Sequence, residues 1–233
     1  MDIITCVLWL EEVSSTQDVA KEKELPSGCV VVANRQLSGR GRRGRRWFSQ
    51  EGGLYFSLLL RTAPIRDEQT ITLVAAHAVC RFLQKEGVHA SIKWVNDVYV
   101  KGKKISGALA ERSKDKLILG IGINVNQGSF PEDVPAISMR MVTGKEYDKK
   151  RILLELLGFL EEDIRLLMNK GFSPFRDVIE ERLLFLGEEV IVEDAGDITV
   201  GLLHHLGEDG SLVILTADGY KRILAGDVSL KSL

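Results

Sequence analysis

Long apolar runs are missing from this chain: none approaches the roughly 18 residues that a membrane-spanning helix requires. The opening residues, Met1-Asp2-Ile3-Ile4-Thr5, carry neither a basic segment nor a small-residue cleavage site, so no export signal is expected. Cysteine is scarce. Cys6, Cys29 and Cys80 form no C-x-x-C pair and no metal-ligand spacing, and without an export signal they read as reduced thiols of a cytoplasmic protein. The four histidines are scattered. The adjacent pair His204-His205 lies in a strand-like run, where neighbours point to opposite faces, which argues against a shared metal. An excess of one charge is absent as well: the formal net charge is −2, not the strongly basic balance of a general nucleic-acid binder. No internal repeat or low-complexity tail is present.

What remains is ordinary globular composition, 45% hydrophobic and 27% charged, enough to bury a core. The length of 233 residues suits one large domain, or one of moderate size with a small appendage. Against this background one stretch stands apart. Ser38-Gly39-Arg40-Gly41-Arg42-Arg43-Gly44-Arg45-Arg46-Trp47 holds five arginines and three glycines in ten residues, ending in an indole. Glycine lets backbone N–H groups turn toward an anion, arginine offers a fixed fork of donors for phosphate, and the indole offers a flat π face. A ligand with phosphates and an aromatic base would suit it, and so would a solvated loop or an arm holding RNA. No Gly-Lys-Ser/Thr follows, so it is not a P-loop. The G-x-G-x-x-G spelling has arginines at its variable positions and no small-residue helix after it, so it is not a dinucleotide fingerprint.

Along the chain, Val7–Leu10 reads as a strand, and Ser14-Ser15-Thr16 as the cap of a helix beginning near Gln17. The hydroxyls serve capping alone, or also meet a polar ligand. Residues 29–33 and 54–60 are apolar runs typical of internal strands, and they fasten the arginine loop at both ends. Residues 67–85 have helical spacing, and 90–126 read as an antiparallel meander with a tight hairpin at Lys101-Gly102. Gly120 and Gly122, inside a strand, mark a place where a helix or a ligand approaches the backbone. The meander carries Lys93, Asn96, Asp97, Lys104 and Asn124 at strand ends or hairpin positions. One by one these are turn residues and solvated lysines; as a set beside the arginine loop they would make a cationic pocket with a carboxylate for a metal. A long helix is expected over 148–169, and a second, capped by Ser173-Pro174, to about Phe185. From Gly187 short strands and glycine turns suggest an SH3-like barrel, in which no chemistry is visible.

Taken in order, Ser15-Thr16, Gly39–Arg45 with Trp47, Lys93-Trp94-Val95-Asn96-Asp97, Lys104-Ile105-Ser106-Gly107 and Gly120-Ile121-Gly122-Ile123-Asn124 resemble the motifs of the biotin–protein ligases, also called biotin–[acetyl-CoA-carboxylase] ligases, over nearly the whole chain. Val95 stands where the family usually has proline, a change that removes no reactive group. The resemblance is to the form without an N-terminal helix-turn-helix, so no DNA partner is expected. It implies an α+β fold: a mixed, largely antiparallel sheet packed with helices, class II synthetase-like, over residues 1–186, then the small barrel over 187–233. It implies conversion of biotin and MgATP to biotinyl-5′-AMP, then transfer to a lysine of a biotin carboxyl carrier domain. By position it assigns Ser15, Thr16, Gln36, Gly39, Arg40, Lys104 and Gly107 to biotin. Arg42, Arg45, Trp47, Lys93, Asn96 and Asn124 go to ATP and the adenylate. Lys104, Arg40 and Asp97 are the expected catalytic groups, with Asp97 holding Mg²⁺ or orienting Lys104. A cytoplasmic enzyme, away from membranes and able to form a homodimer, is implied. A lipoate ligase or octanoyltransferase of the same fold, or an RNA-binding protein using Arg40–Arg46, are the competing readings.

Overall fold

The β-branched and leucine-rich runs settle into the middle of a seven-stranded sheet. The structure, a computed structural model, describes residues 3–61, 65–194 and 196–230; Met1 and Asp2, read above for an export signal, lie outside them. The strands are β1 (Cys6–Val13), β2 (Cys29–Gln36), β3 (Leu54–Arg61), β4 (Ser91–Lys93), β5 (Asp97–Val100), β6 (Lys103–Ser113) and β7 (Lys116–Ile123). Their order is β1-β2-β3-β7-β6-β5-β4, with β1 parallel to β2 and the other pairs antiparallel. The expected meander is therefore present. Lys101 and Gly102 both take positive φ (50° and 73°), the backbone that a two-residue hairpin with matching twist demands.

Helix α1 (Thr16–Glu22) covers one face of the sheet, where Ala20 meets Val31, Leu59 and Ile118. On the other face, α2 (Ile71–Lys85) lies between the sheet and a later helix, α4 (Lys149–Lys170). Burial from both sides explains why α2 hides more than the single stripe its spacing suggests, down to His77 and Cys80. Burial also pushes the Cys80 thiol up to about 12, which leaves it inert. Asp163 of α4 is buried too; it accepts from Arg81 (2.6 Å) and pairs with His77 Nδ1 (2.9 Å), tying α4 to α2.

Three expectations need correction, and one further element appears. Cys6 and Cys29 are joined in a disulfide, because the parallel register of β1 and β2 sets them opposite each other; only Cys80 is a free thiol. The second C-terminal helix is short: α5 runs Arg176–Glu180 behind a 3₁₀ turn at Ser173–Phe175, and Ser173 makes no cap hydrogen bond. A small helix, α3 (Met139–Thr143), capped by Ser138, follows the meander and has too few residues to leave a periodic signal. The C-terminal strands are β8 (Glu189–Asp194), β9 (Asp197–Leu206), β10 (Leu212–Thr216), β11 (Gly219–Ile223) and β12 (Asp227–Leu230). They form an open antiparallel sheet ordered β11-β10-β9-β8-β12, not a closed barrel.

The two sheets share one apolar core, running from Phe56 and Ile92 to Leu203 and Ile214. Trp94 closes the seam by donating its indole N–H to Gly210 O (2.9 Å). The two histidines of β9 also differ from expectation. The pairing of β9 with β10 slips between Val213 and Ile214, leaving His204 as an extra residue. That bulge turns the rings together, Nδ1 to Nδ1 at 2.7 Å. No group of three metal-ligating side chains exists among the described residues, and no described helix is long and apolar enough to cross a membrane.

Candidate active site

The arginine loop is a small structure of its own. Gly39 O accepts from Trp47 N (2.8 Å), and Arg40 bridges Arg46, so the loop closes on itself between β2 and β3. Arg43 sits at φ 56° within a single 3₁₀ turn. Beneath the loop is a cavity of about 160 Å³. Of the residues the motifs nominate, Ser15, Thr16, Gln36, Arg40, Arg42, Arg45, Trp47, Asn96, Asp97, Lys104 and Gly107 line it. Asn124 lines a second cavity of about 440 Å³, which opens past Trp47 and Lys104 toward Phe130 and Pro131. Gly39 and Lys93 line neither. A Cβ on Gly39 would lie 2.3 Å from Ser49 Oγ and 2.9 Å from Gln36 Nε2, so this glycine makes room for the pocket wall. Lys93 lies over the Tyr99 ring at 5.6 Å; burial lowers its ammonium pKa, against the opposing pull of Asp97.

One end of the first cavity is neutral and buried. Ser15 caps α1 by accepting from Gln17 N (3.2 Å), the capping role expected of it. Gln36 Oε1 accepts from Thr16 N (2.9 Å), Thr16 Oγ1 meets Ser57 Oγ at 2.8 Å, and Gln36 Nε2 donates to Ser49 Oγ (2.8 Å). Ser15, Thr16 and Gln17 are only 2%, 3% and 4% exposed. Thr16 and Gln36 are each held by two partners, which makes their rotamers rigid.

The arginines around the same cavity are charged and partly open to solvent. Arg40 donates both terminal nitrogens to Asp18 (3.0 and 2.6 Å) and one to Glu111 (3.2 Å). The hydrogen bonds from Arg40 hold the Asp18 carboxyl below its ordinary value, and Asp18 in turn raises Arg40. Arg42 reaches Asn96 Oδ1 (3.4 Å) and Gly226 O (3.2 Å); its pKa is lowered, chiefly by burial. Arg45, Arg43 and Arg42 all converge on Asp227, at 2.6, 3.2 and 3.8 Å. Arg43 also donates to Asp194 (2.8 Å). Asp227 belongs to the C-terminal sheet, so that sheet does contribute to the site, contrary to the sequence reading. Its contact with Arg45 spans 182 positions, and no local pattern announces it.

Lys104 Nζ is 2.7 Å from Asp97 Oδ2 and 5.0 Å from the Trp47 ring centre. The indole packs against the glycines of the strand floor. A Cβ on Gly122 would come within 2.5 Å of Trp47 Nε1, and one on Gly107 would be 3.2 Å from the same ring. Gly120 plays the same part for Gln17, whose amide would be 2.8 Å from such a Cβ. The two glycines inside β7 thus seat side chains of the protein itself, one from α1 and one from the loop.

Three buried side-chain polar atoms lack a partner among the described residues: Gln17 Oε1, Trp47 Nε1 and Asp97 Oδ1. All three residues line the first cavity. Leaving such a group unpaired costs about 1–3 kcal/mol, so their concentration in one place marks a site built for a polar ligand.

The model of the biotin/lipoate A/B protein ligase family matches residues 9–127, and that of the biotin protein ligase C-terminal domain matches 185–231. The bifunctional ligase/repressor BirA of Bacillus spizizenii is 34% identical over 96% of this chain and 74% of its own length. The biotin–[acetyl-CoA-carboxylase] ligase of Mycobacterium tuberculosis is 30% identical, covering 86% of this chain and 78% of the relative. A biotin protein ligase from Aquifex aeolicus, solved in complex with biotin and ATP, superposes with a TM-score of 0.93 at 44% identity, over 98% of this chain and 99% of that one. With the catalytic motifs and the C-terminal unit both matched, the chain belongs to the biotin protein ligases of the biotin/lipoate A/B protein ligase family.

Proposed function

We propose that the protein joins biotin to a carrier in two steps and that the cavity beneath the arginine loop is where both occur. The chain is a biotin–[acetyl-CoA-carboxylase] ligase, an enzyme that uses biotin and ATP. The observation that carries the finer reading is that one cavity is lined both by buried neutral groups, Ser15, Thr16 and Gln36, and by the cations Arg40, Arg42, Arg45 and Lys104.

In the first step a biotin carboxylate oxygen attacks the α-phosphorus of ATP. The bond from that phosphorus to the bridging oxygen breaks, and pyrophosphate leaves. Two anions must meet, so fixed positive charge is needed at the junction. Lys104 can neutralise both, and Asp97 holds its ammonium in position. Arg42 and Arg45 take the phosphates in exchange for Asp227. Trp47 and Asn124 meet the adenosine, with Asn96 and Lys93 beside them. Ser15, Thr16 and Gln36 receive the biotin rings, Gly39 and Gly107 allow close approach, and Arg40 closes the pocket. In the second step the amine of a carrier lysine attacks the acyl carbon. The amide forms, the amine loses a proton and AMP departs. The attacking amine is the partner's, so no nucleophile is required of this chain. The loop shields the anhydride from water meanwhile.

Asp97 is the residue suited to Mg²⁺. Its Oδ1 is unpartnered, and this ion commonly takes one or two carboxylates alongside substrate phosphates. Bound there, it would add charge neutralisation to the phosphates. The dependence on ATP agrees with a cytoplasmic location.

Incubation with biotin, MgATP and a biotin carboxyl carrier domain, followed by intact mass of the carrier, tests the reading. A gain of one biotinyl group at one lysine is expected. No gain, or an equal gain of a lipoyl group when lipoate replaces biotin, would refute it.

A further inference from the structure

The paired histidines of β9 take no part in the chemistry above, and neither ring lines the two cavities. Their arrangement is nonetheless specific. In a regular strand His204 and His205 would point to opposite faces. The slip between Val213 and Ile214 brings them together instead, Nδ1 to Nδ1 at 2.7 Å, with ring planes at 76°. Two neutral imidazoles meet this closely when one Nδ1 carries a proton and the other a lone pair. Tyr220 of β11 supports His204 from behind. Its hydroxyl lies 3.4 Å from His204 Nε2, and its ring packs edge-on at 5.0 Å. A hydroxyl there can accept from Nε2–H, the tautomer that leaves His204 Nδ1 as the lone pair. Histidines that bind metals usually donate their other ring N–H to an outer partner of this kind.

The spacing of the two nitrogens selects among metals. Metal–imidazole bonds of about 2.0 Å, drawn from nitrogens 2.7 Å apart, would meet at roughly 85°. That is close to the right angle between neighbouring ligands of a square-planar or tetragonal ion. It is well short of the tetrahedral angle that Zn²⁺ takes in structural sites. Cu²⁺ prefers the square arrangement and binds nitrogen ligands more strongly than the other divalent first-row ions. We infer that His204 and His205 form a two-histidine chelate for Cu²⁺ on the C-terminal sheet, with Tyr220 orienting His204. The proton shared by the rings passes to solvent on binding. No larger group of metal-ligating side chains converges among the described residues, so water fills the remaining positions. His204 is exposed and His205 half-buried, which leaves the pair open to an ion from solution. The inference is independent of the biotin reading.

Titration of the untagged full chain with copper sulfate, followed by electron paramagnetic resonance, tests it. A single tetragonal signal coupled to two imidazole nitrogens is expected at one ion per chain. His204→Gln and His205→Gln should each weaken Cu²⁺ binding at least about tenfold, with the melting temperature nearly unchanged. Binding unchanged in both variants, or coupling to one nitrogen alone, would make the ion adventitious and overturn the inference. Zn²⁺ bound more tightly than Cu²⁺ would contradict the geometry. Should a variant fail to fold, proton NMR of the wild type asks the same question. Substoichiometric Cu²⁺ should broaden the rings of His204, His205 and Tyr220 before that of His89, a lone exposed imidazole. Broadening of His89 to the same degree would contradict the pairing.

Discussion

The two ends of the cavity are built by opposite means. At the α1 end, Ser15, Thr16, Gln17 and Gln36 are neutral, almost wholly buried and hydrogen-bonded to one another or to the sheet. On the loop side, Arg43 and Arg45 are charged and partly exposed, Arg45 by 69%, and they are held by ion pairs with Asp194 and Asp227 of the C-terminal sheet. A buried hydrogen-bond network cannot adjust without leaving a group unpaired. A partly exposed ion pair is worth little and exchanges partners readily. The first end therefore suits recognition of one small neutral ring, and the second suits gripping and releasing phosphates. The C-terminal sheet supplies the carboxylates, Asp194 and Asp227, that hold Arg43 and Arg45.

The largest expected effect falls on the lysine of the cavity. Lys104→Ala should lower biotin-dependent ATP–pyrophosphate exchange roughly 100- to 1,000-fold with the melting temperature nearly unchanged. Exchange at the wild-type rate would remove Lys104 from the reaction. At the neutral end, Thr16→Val leaves Gln36 and Ser57 short of a partner, and urea denaturation should register a loss of about 1–3 kcal/mol. A loss of similar size from Arg42→Gly would erase the contrast between rigid and exchangeable ends. That variant is expected to fold normally and release biotinyl-AMP roughly tenfold faster, read by a chase with unlabelled ligand.

Smaller effects should follow from the carboxylates. Asp227→Ala removes the shared counter-ion of Arg42, Arg43 and Arg45, so trypsin should cut the ligand-free loop a few-fold faster while global stability shifts by less than about 1 kcal/mol. Unchanged cleavage would mean that Asp227 does not hold the loop. The smallest effect is that of pH. Bonding to Arg40 depresses Asp18 below its ordinary 3.8, so its stabilisation is present above that value and fades as pH falls through the lower folded one. Acid unfolding of Asp18→Asn should differ from wild type at pH 5 and converge with it near pH 2. A difference that widens toward low pH would contradict the pairing.

Much of this was legible in the sequence, for local reasons. The arginine loop between two apolar runs, the hairpin at Lys101-Gly102 and the close approach at Gly120 and Gly122 are each set by residues within a few positions. Three features were not, because each depends on register or long-range contact. Asp227 meets the loop only once the second sheet has docked. Cys6 meets Cys29 only in the parallel alignment of β1 with β2. His204 turns toward His205 only because the pairing of β9 with β10 slips by one residue. Gln17 was hidden differently: it reads as an ordinary helix residue, and nothing nearby says that its amide reaches across to Leu109 and Ile118.

The central claim is that this one cavity joins a biotin carboxylate to the α-phosphate of ATP. Exchange of labelled pyrophosphate into ATP, followed on the purified chain with no acceptor protein present, tests it most directly. Exchange that requires biotin and is not supported by lipoate is the predicted result. No exchange with biotin, or equal exchange with either acid, would contradict it.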